Sequence, residues 1–145
     1  MISYRWRIGS AVLVLAVVAI SLLLWKRPVP PVPQHELIHL TSPLPNAEIS
    51  SPLTLTGEAR GNWYFEASFP VFLTDWDGKI IAQGIATAQG DWMTTAFVPF
   101  TATLTFTTAD ISGQYAKRGT LILKKDNPSG LPQYDDAVEI PIRFK

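Results

Sequence analysis

Ala102-Thr103-Leu104-Thr105-Phe106-Thr107 alternates an apolar residue with threonine over six positions. A period of two places one row of side chains in a core and the other in water, as in a half-buried β-strand. Val138-Glu139-Ile140-Pro141-Ile142-Arg143-Phe144 repeats the pattern. Its proline falls on the outward parity, which suits an edge strand or a bulge. Working outward, Leu37 to Thr41, Leu53 to Ala59, Val71 to Asp75, Ile80 to Ala88 and Thr120 to Lys124 complete seven expected strands. Turn chemistry separates them at Pro43–Asn46, Arg60–Asn62, Asp77-Gly78, Gln89–Asp91, Ile111–Gly113 and Asp126–Gly130. Asp77-Gly78 between two strand-like runs is the strongest hairpin signal. Helical periodicity is absent from this part of the chain. Short alternating strands with regular punctuation over about 100 residues predict an all-β, immunoglobulin-like antiparallel sandwich of about seven strands.

The amino-terminal part differs in kind. From Ile8 to Trp25 the chain carries no charge, with Arg5 and Arg7 before it and Lys26 and Arg27 after it. As a helix this run is about 27 Å long, close to the hydrocarbon thickness of about 30 Å. Only Ser10 and Ser21 interrupt its apolar surface, too few to make the polar face of a buried helix in a soluble domain. A cleavable signal is the rival reading. Leu24 to Pro28 offers no small-x-small cleavage site, and no cysteine is present to take a lipid. The expected organisation is a cytoplasmic tail (1–7), a transmembrane signal-anchor (8–25), a Pro-rich stalk (26–36) and an ectodomain (37–145) outside the cytoplasm. Trp6 and Trp25 fall at the two interfaces. Pro28 to Pro33 favours polyproline II, a stiff spacer of roughly 20 Å.

Net charge is zero, but four of the twelve basic residues flank the apolar run. The remaining eight face twelve acidic residues from Glu36 onward, and no Lys/Arg cluster is available to follow a phosphate backbone, so nucleic acid is not an expected partner. Without cysteine no disulfide supports the exported domain.

Residues 51–59 (Ser-Pro-Leu-Thr-Leu-Thr-Gly-Glu-Ala), Gly61-Asn62-Trp63-Tyr64-Phe65-Glu66-Ala67, Asp77-Gly78, Gly90-Asp91-Trp92-Met93, Val98-Pro99-Phe100 and Lys125 to Gly130, in that order, resemble the immunoglobulin-like domain of bacterial spore germination, the second germination-associated type. The resemblance implies a seven-stranded sandwich carried as an accessory domain by exported or surface proteins. It implies no catalytic residues.

The residues by themselves point the same way. His35 and His39 both lie at the start of the domain, and no cysteine is present, so a nucleophile–base pair finds no material. His39 reads as an outward-facing strand residue. Asp75-Trp76-Asp77-Gly78 superficially matches the start of a calcium loop but lacks the later oxygen ligands, and reads as a hairpin turn. A noncanonical calcium site would need Asp91 as well. No catalytic residue, cofactor or metal is therefore expected. Trp63, Tyr64, Phe65, Trp76 and Trp92 either fill the core or form a contact patch. In an extended segment Trp63 and Phe65 face one side and Tyr64 and Glu66 the other. Parity then gives the first pair to the core and makes Asn62, Tyr64 and Glu66 the binding candidates, with Asp91 and Trp92 as neighbours. The expected function is binding or scaffolding in the bacterial envelope, with another envelope protein as partner or, alternatively, a cell-wall glycan.

Overall fold

A computed structural model describes residues 35–107 and 117–145. The expected tail, anchor and most of the stalk, and the turn at Ile111–Gly113, lie outside the described residues. Among the described residues no helix is long and apolar enough to cross a membrane. The described residues form eight strands: β1 (Ile38–Ser42), β2 (Glu48–Ile49), β3 (Leu53–Arg60), β4 (Ser68–Asp75), β5 (Ile80–Ala88), β6 (Phe97–Leu104), β7 (Arg118–Lys124) and β8 (Ala137–Phe144). Short 3-10 turns at Gly61–Trp63 and Pro132–Tyr134 sit in loops.

The strands run in the order β1-β3-β6-β5-β4-β7-β8-β2. β5 meets β6 only where Thr87 and Ala88 lie opposite Thr101 and Phe100, whereas β3 and β6 pair over their full length, Leu53↔Leu104 to Arg60↔Phe97. This narrow seam lets the sheet fold over, so that β1-β3-β6 faces β5-β4-β7-β8-β2. The amino-terminal segment belongs to both layers, because β1 runs antiparallel to β3 while β2 runs parallel to β8. All pairings except β2–β8 are antiparallel, as expected of an immunoglobulin-like sandwich.

The core follows from the alternation. Leu53, Leu55 and Ala59 of β3, Phe69, Val71 and Leu73 of β4, Leu121 and Leu123 of β7, and Val138, Ile140, Ile142 and Phe144 of β8 are buried. Phe69 of β4 meets Phe100 of β6 edge-on at 5.0 Å, joining the layers. Burial of each such large side chain contributes about 1.5–3 kcal/mol. Residues 102–107 behave as read, with Ala102, Leu104 and Phe106 buried and the threonines at 103, 105 and 107 exposed.

Several boundaries differ from expectation: β4 begins at Ser68 rather than Val71 and β7 at Arg118 rather than Thr120. β6 begins at Phe97, five residues early, and its ladder stops at Leu104; beyond it the Phe106 amide donates to Ser51 Oγ instead (2.9 Å). β2 adds an eighth strand, two residues long. Pro141 lies in β8 opposite Thr120, and its carbonyl accepts from the Asn46 amide, away from β7. The N and C=O of one strand residue point to the same side, so its missing N–H leaves the β7 ladder intact.

Candidate functional site

The register brings three loops to one end of the sandwich. Arg60 pairs with Phe97, Ser68 with Thr87, and Lys124 with Ala137. The β3–β4, β5–β6 and β7–β8 loops therefore emerge together. Backbone bonds tie them: the Asp126 amide donates to the Trp63 carbonyl (3.2 Å) and the Ala88 amide to Ala67 (2.9 Å). Arg60 Nη1 donates to the Thr95 carbonyl (2.8 Å), with its guanidinium over the Phe97 ring at 4.3 Å. Gly61 is where the first two loops touch. A β-carbon there would overlap the carbonyl oxygens of Trp92 and Thr94, so only glycine admits this approach.

The chain joins the domain at the same end. His35, assigned by sequence to the stalk, packs edge-on against Trp63 at 5.2 Å. Its Nδ1 accepts from the Leu37 amide, and Nε2 lies 3.3 Å from Asp136 Oδ2. With Nδ1 accepting, the proton of the neutral ring is on Nε2, aimed at the carboxylate. His39 faces outward as expected, stacked on Phe97 (4.6 Å) and bonded to Glu58 (3.2 Å).

The parity argument for residues 63–66 fails here. Gly61–Trp63 is a 3-10 turn, and Glu66 and Ala67 take left-handed conformations (φ 50° and 62°), so the segment is not extended. Trp63 is buried as expected, but Tyr64 is buried with it, at 4% exposure, while Phe65 is turned outward. The Tyr64 hydroxyl donates to the Val98 carbonyl at 2.7 Å, and its ring lies 5.4 Å from Phe69. Burial pushes this phenol up to about 12, the Glu58 carboxylate adds to the rise, and a backbone contact at Ala59 works against it. Tyr64 is a core residue, not a contact residue. The Trp63 indole N–H has no acceptor among the described residues.

Asn62, Glu66 and Asp91 are exposed, and Trp92 is half-buried against the core. The Gly61 contact brings Asn62 beside the Trp92 loop, so all five candidates lie at this end and four of them reach its surface. What the sequence reading missed is the exposed apolar residues on the same loops: Phe65, Met93 (78% exposed), Leu131 and Tyr134, one or two from each loop. Large apolar residues among turn formers were the available signal. Asp126–Gly130 is turn chemistry as expected: Asn127 Oδ1 accepts from Ser129 N and Oγ, and its Nδ2 donates to the Leu131 carbonyl and Asp135 Oδ1.

At the same end stand Glu36, Glu66, Asp91, Asp126, Asp135 and Asp136, against Arg60, Lys124 and Lys125. This end is acidic. At the opposite end Asp75 Oδ1 accepts from the amides of Asp77 and Lys79 (2.9 Å each), which makes residues 75–79 a closed hairpin turn. Asp91 lies at the other end, so the two share no calcium site. Phe65 and Trp76, both exposed, are likewise at opposite ends and form no common patch. Among the described residues no group of three or more His, Cys, Asp or Glu is placed to hold a metal ion.

The fold defines an immunoglobulin-like β-sandwich with a composite loop surface. Residues 37–127 match the family described as the immunoglobulin-like domain of bacterial spore germination, and the chain belongs to that family. β8 lies beyond the matched residues yet completes the second layer. No curated protein and no solved structure matches the chain.

Proposed function

We propose that this chain is a membrane-tethered, extracytoplasmic, non-catalytic domain of the bacterial envelope that docks another envelope protein through its three-loop end. The observation that carries the reading is the placement of four exposed large apolar residues, Phe65, Met93, Leu131 and Tyr134, on three loops that share one end and are tied to one another by hydrogen bonds. An apolar centre within a charged rim is the general anatomy of a protein interface. The rim chooses the partner's chemistry. Six carboxylates against three basic groups favour an apolar patch bordered by Lys and Arg, which would speed encounter and reject acidic competitors. The uncharged run Ile8–Trp25 and the absence of cysteine support tethering outside the cytoplasm without disulfides.

Photo-crosslinking in intact cells tests this. A crosslinker at Met93 or Tyr134 should capture one defined protein, and Asp91→Lys with Asp126→Lys should abolish the product. A crosslinker at Ile80, exposed at the start of β5 and at the opposite end from the loops, should capture nothing comparable. Equal capture from Ile80, or capture indifferent to rim charge, refutes the assignment.

A further inference from the structure

The end of the sandwich opposite the loops carries a shallow depression of about 520 Å³ lined by Asn46, Trp76, Arg118, Thr120, Pro141 and Arg143, among others. Arg118 and Arg143 lie directly opposite each other in the β7–β8 register, both exposed. Like charges placed across a strand pair destabilise it. Among the described residues neither guanidinium forms an ion pair or a side-chain hydrogen bond that would offset this. Glu48, the β2 neighbour of Arg143, makes no ion pair with it, and Asp75 is held by the amides of its own turn. Lys79, Lys117 and Lys145 stand at the same end and deepen the positive field.

Trp76 projects from the β4–β5 turn at the margin of the depression, 54% exposed. The Asp75 bonds set the turn that carries it. The floor is rigid for a packing reason: a β-carbon at Gly119 would overlap the Thr74 carbonyl oxygen and crowd the Phe144 ring, so β7 lies hard against its neighbours beneath the arginines. Two forked donors thus share a fixed hollow with the partly exposed indole of Trp76 and with Asn46. A forked guanidinium matches a carboxylate in bidentate fashion. An indole face suits the apolar side of a sugar ring.

We infer that this hollow binds a carboxylate-bearing saccharide, with Arg118 and Arg143 on the carboxylate and Trp76 against the ring. The inference is independent of the loop-end reading, because no residue is shared. A nucleic-acid strand would need a basic track and several stacking rings, whereas here one indole accompanies one charged pair.

Calorimetric titration of the full chain in mild detergent with a glucuronic-acid tetrasaccharide tests the site, with a glucose tetrasaccharide and inorganic phosphate as the other arms. Saturable binding of the acidic saccharide is expected, stronger than that of either other probe and weakened by added salt. Arg118→Gln and Arg143→Gln should each reduce affinity about tenfold or more, and Trp76→Ala should do likewise. The arginine variants should keep or raise the wild-type melting temperature, because cross-strand repulsion is relieved; this separates lost binding from lost folding. Absence of saturable binding, equal binding of the neutral saccharide, phosphate binding as tightly as the acidic sugar, or indifference to the arginine variants would each overturn the inference.

Discussion

Tyr64 is the residue at which two views of the loop end diverge most. An exposed Tyr64 could be truncated without harm to folding, whereas the buried Tyr64 of the structure cannot. Its ring packs against Phe69 and its hydroxyl donates to Val98 across the core. Removing the hydroxyl alone, Tyr64→Phe, deletes one buried hydrogen bond and should cost about 1–2 kcal/mol. Tyr64→Ala also removes a ring that is 4% exposed and leaves a cavity, so the expected cost is about 3–5 kcal/mol. Total stability for a domain of this size is about 5–15 kcal/mol, which makes the second change severe and the first tolerable. Equilibrium unfolding in urea resolves the two. With a slope of about 1–3 kcal/mol per molar, Tyr64→Phe should lower the midpoint by roughly 0.5–1 M and Tyr64→Ala by roughly 2 M, with the slope unchanged. Asn62→Ala, at an exposed neighbour, is the control and should stay within about 0.5 kcal/mol of wild type. A wild-type midpoint for Tyr64→Ala would refute the buried placement and restore Tyr64 as a contact residue.

Alkaline pH should destabilise the domain through the same phenol. Its folded value, about 12, lies above the ordinary value of 10.0, so its contribution is complete below pH 10 and is lost as pH rises towards 12, by about 1.4 kcal/mol per pH unit in that window; Tyr64→Phe should remove that part of a denaturation series run from pH 9 to 12. Gly61→Ala should force the β3–β4 and β5–β6 loops apart at a cost of about 1–3 kcal/mol, read as a lower urea midpoint and faster amide exchange at Trp92–Thr94. Asp75→Ala should remove both turn bonds and cost about 1–2 kcal/mol, and it should weaken binding of the acidic tetrasaccharide by loosening the mount of Trp76 while both arginines remain.

Legibility in the sequence tracked the length of each regular pattern. β3 and β8 hold their alternation for eight residues each, long enough for the period of two to dominate. β2 has two residues and can show no period. The start of β6 was hidden by Pro99, which argues against a strand although its carbonyl faces Gln89, away from β3. The loop at 61–67 misled for a deeper reason. Left-handed conformations are signalled in sequence by Gly, Asn or Asp, and here Glu66 and Ala67 adopt them. Gly61-Asn62 announces a turn after Arg60, but nothing in the residue types announces that residues 63–67 do not resume an extended path, so parity places Tyr64 on the wrong side. Arg118 and Arg143 are far apart in sequence, and only the β7–β8 register makes them neighbours.

That register also separates the domain's charge. Carboxylates gather where the loops emerge and the chain joins at His35; Lys79, Lys117, Arg118, Arg143 and Lys145 gather at the other end, against Glu48, Asp75 and Asp77. The two proposed contacts should therefore respond differently to salt. At the loop end the charges form a rim around apolar side chains, and rim charges govern encounter more than final affinity. Raising ionic strength should slow association there and leave dissociation nearly unchanged. In the hollow the charges are themselves the contact, exposed and directed at the ligand, so affinity should fall as counterions screen them over about 8–10 Å. Association and dissociation rates measured at two salt concentrations for each contact distinguish these cases. A loop-end contact whose dissociation rate climbs steeply with salt would mean that its carboxylates, rather than Phe65, Met93, Leu131 and Tyr134, hold the partner.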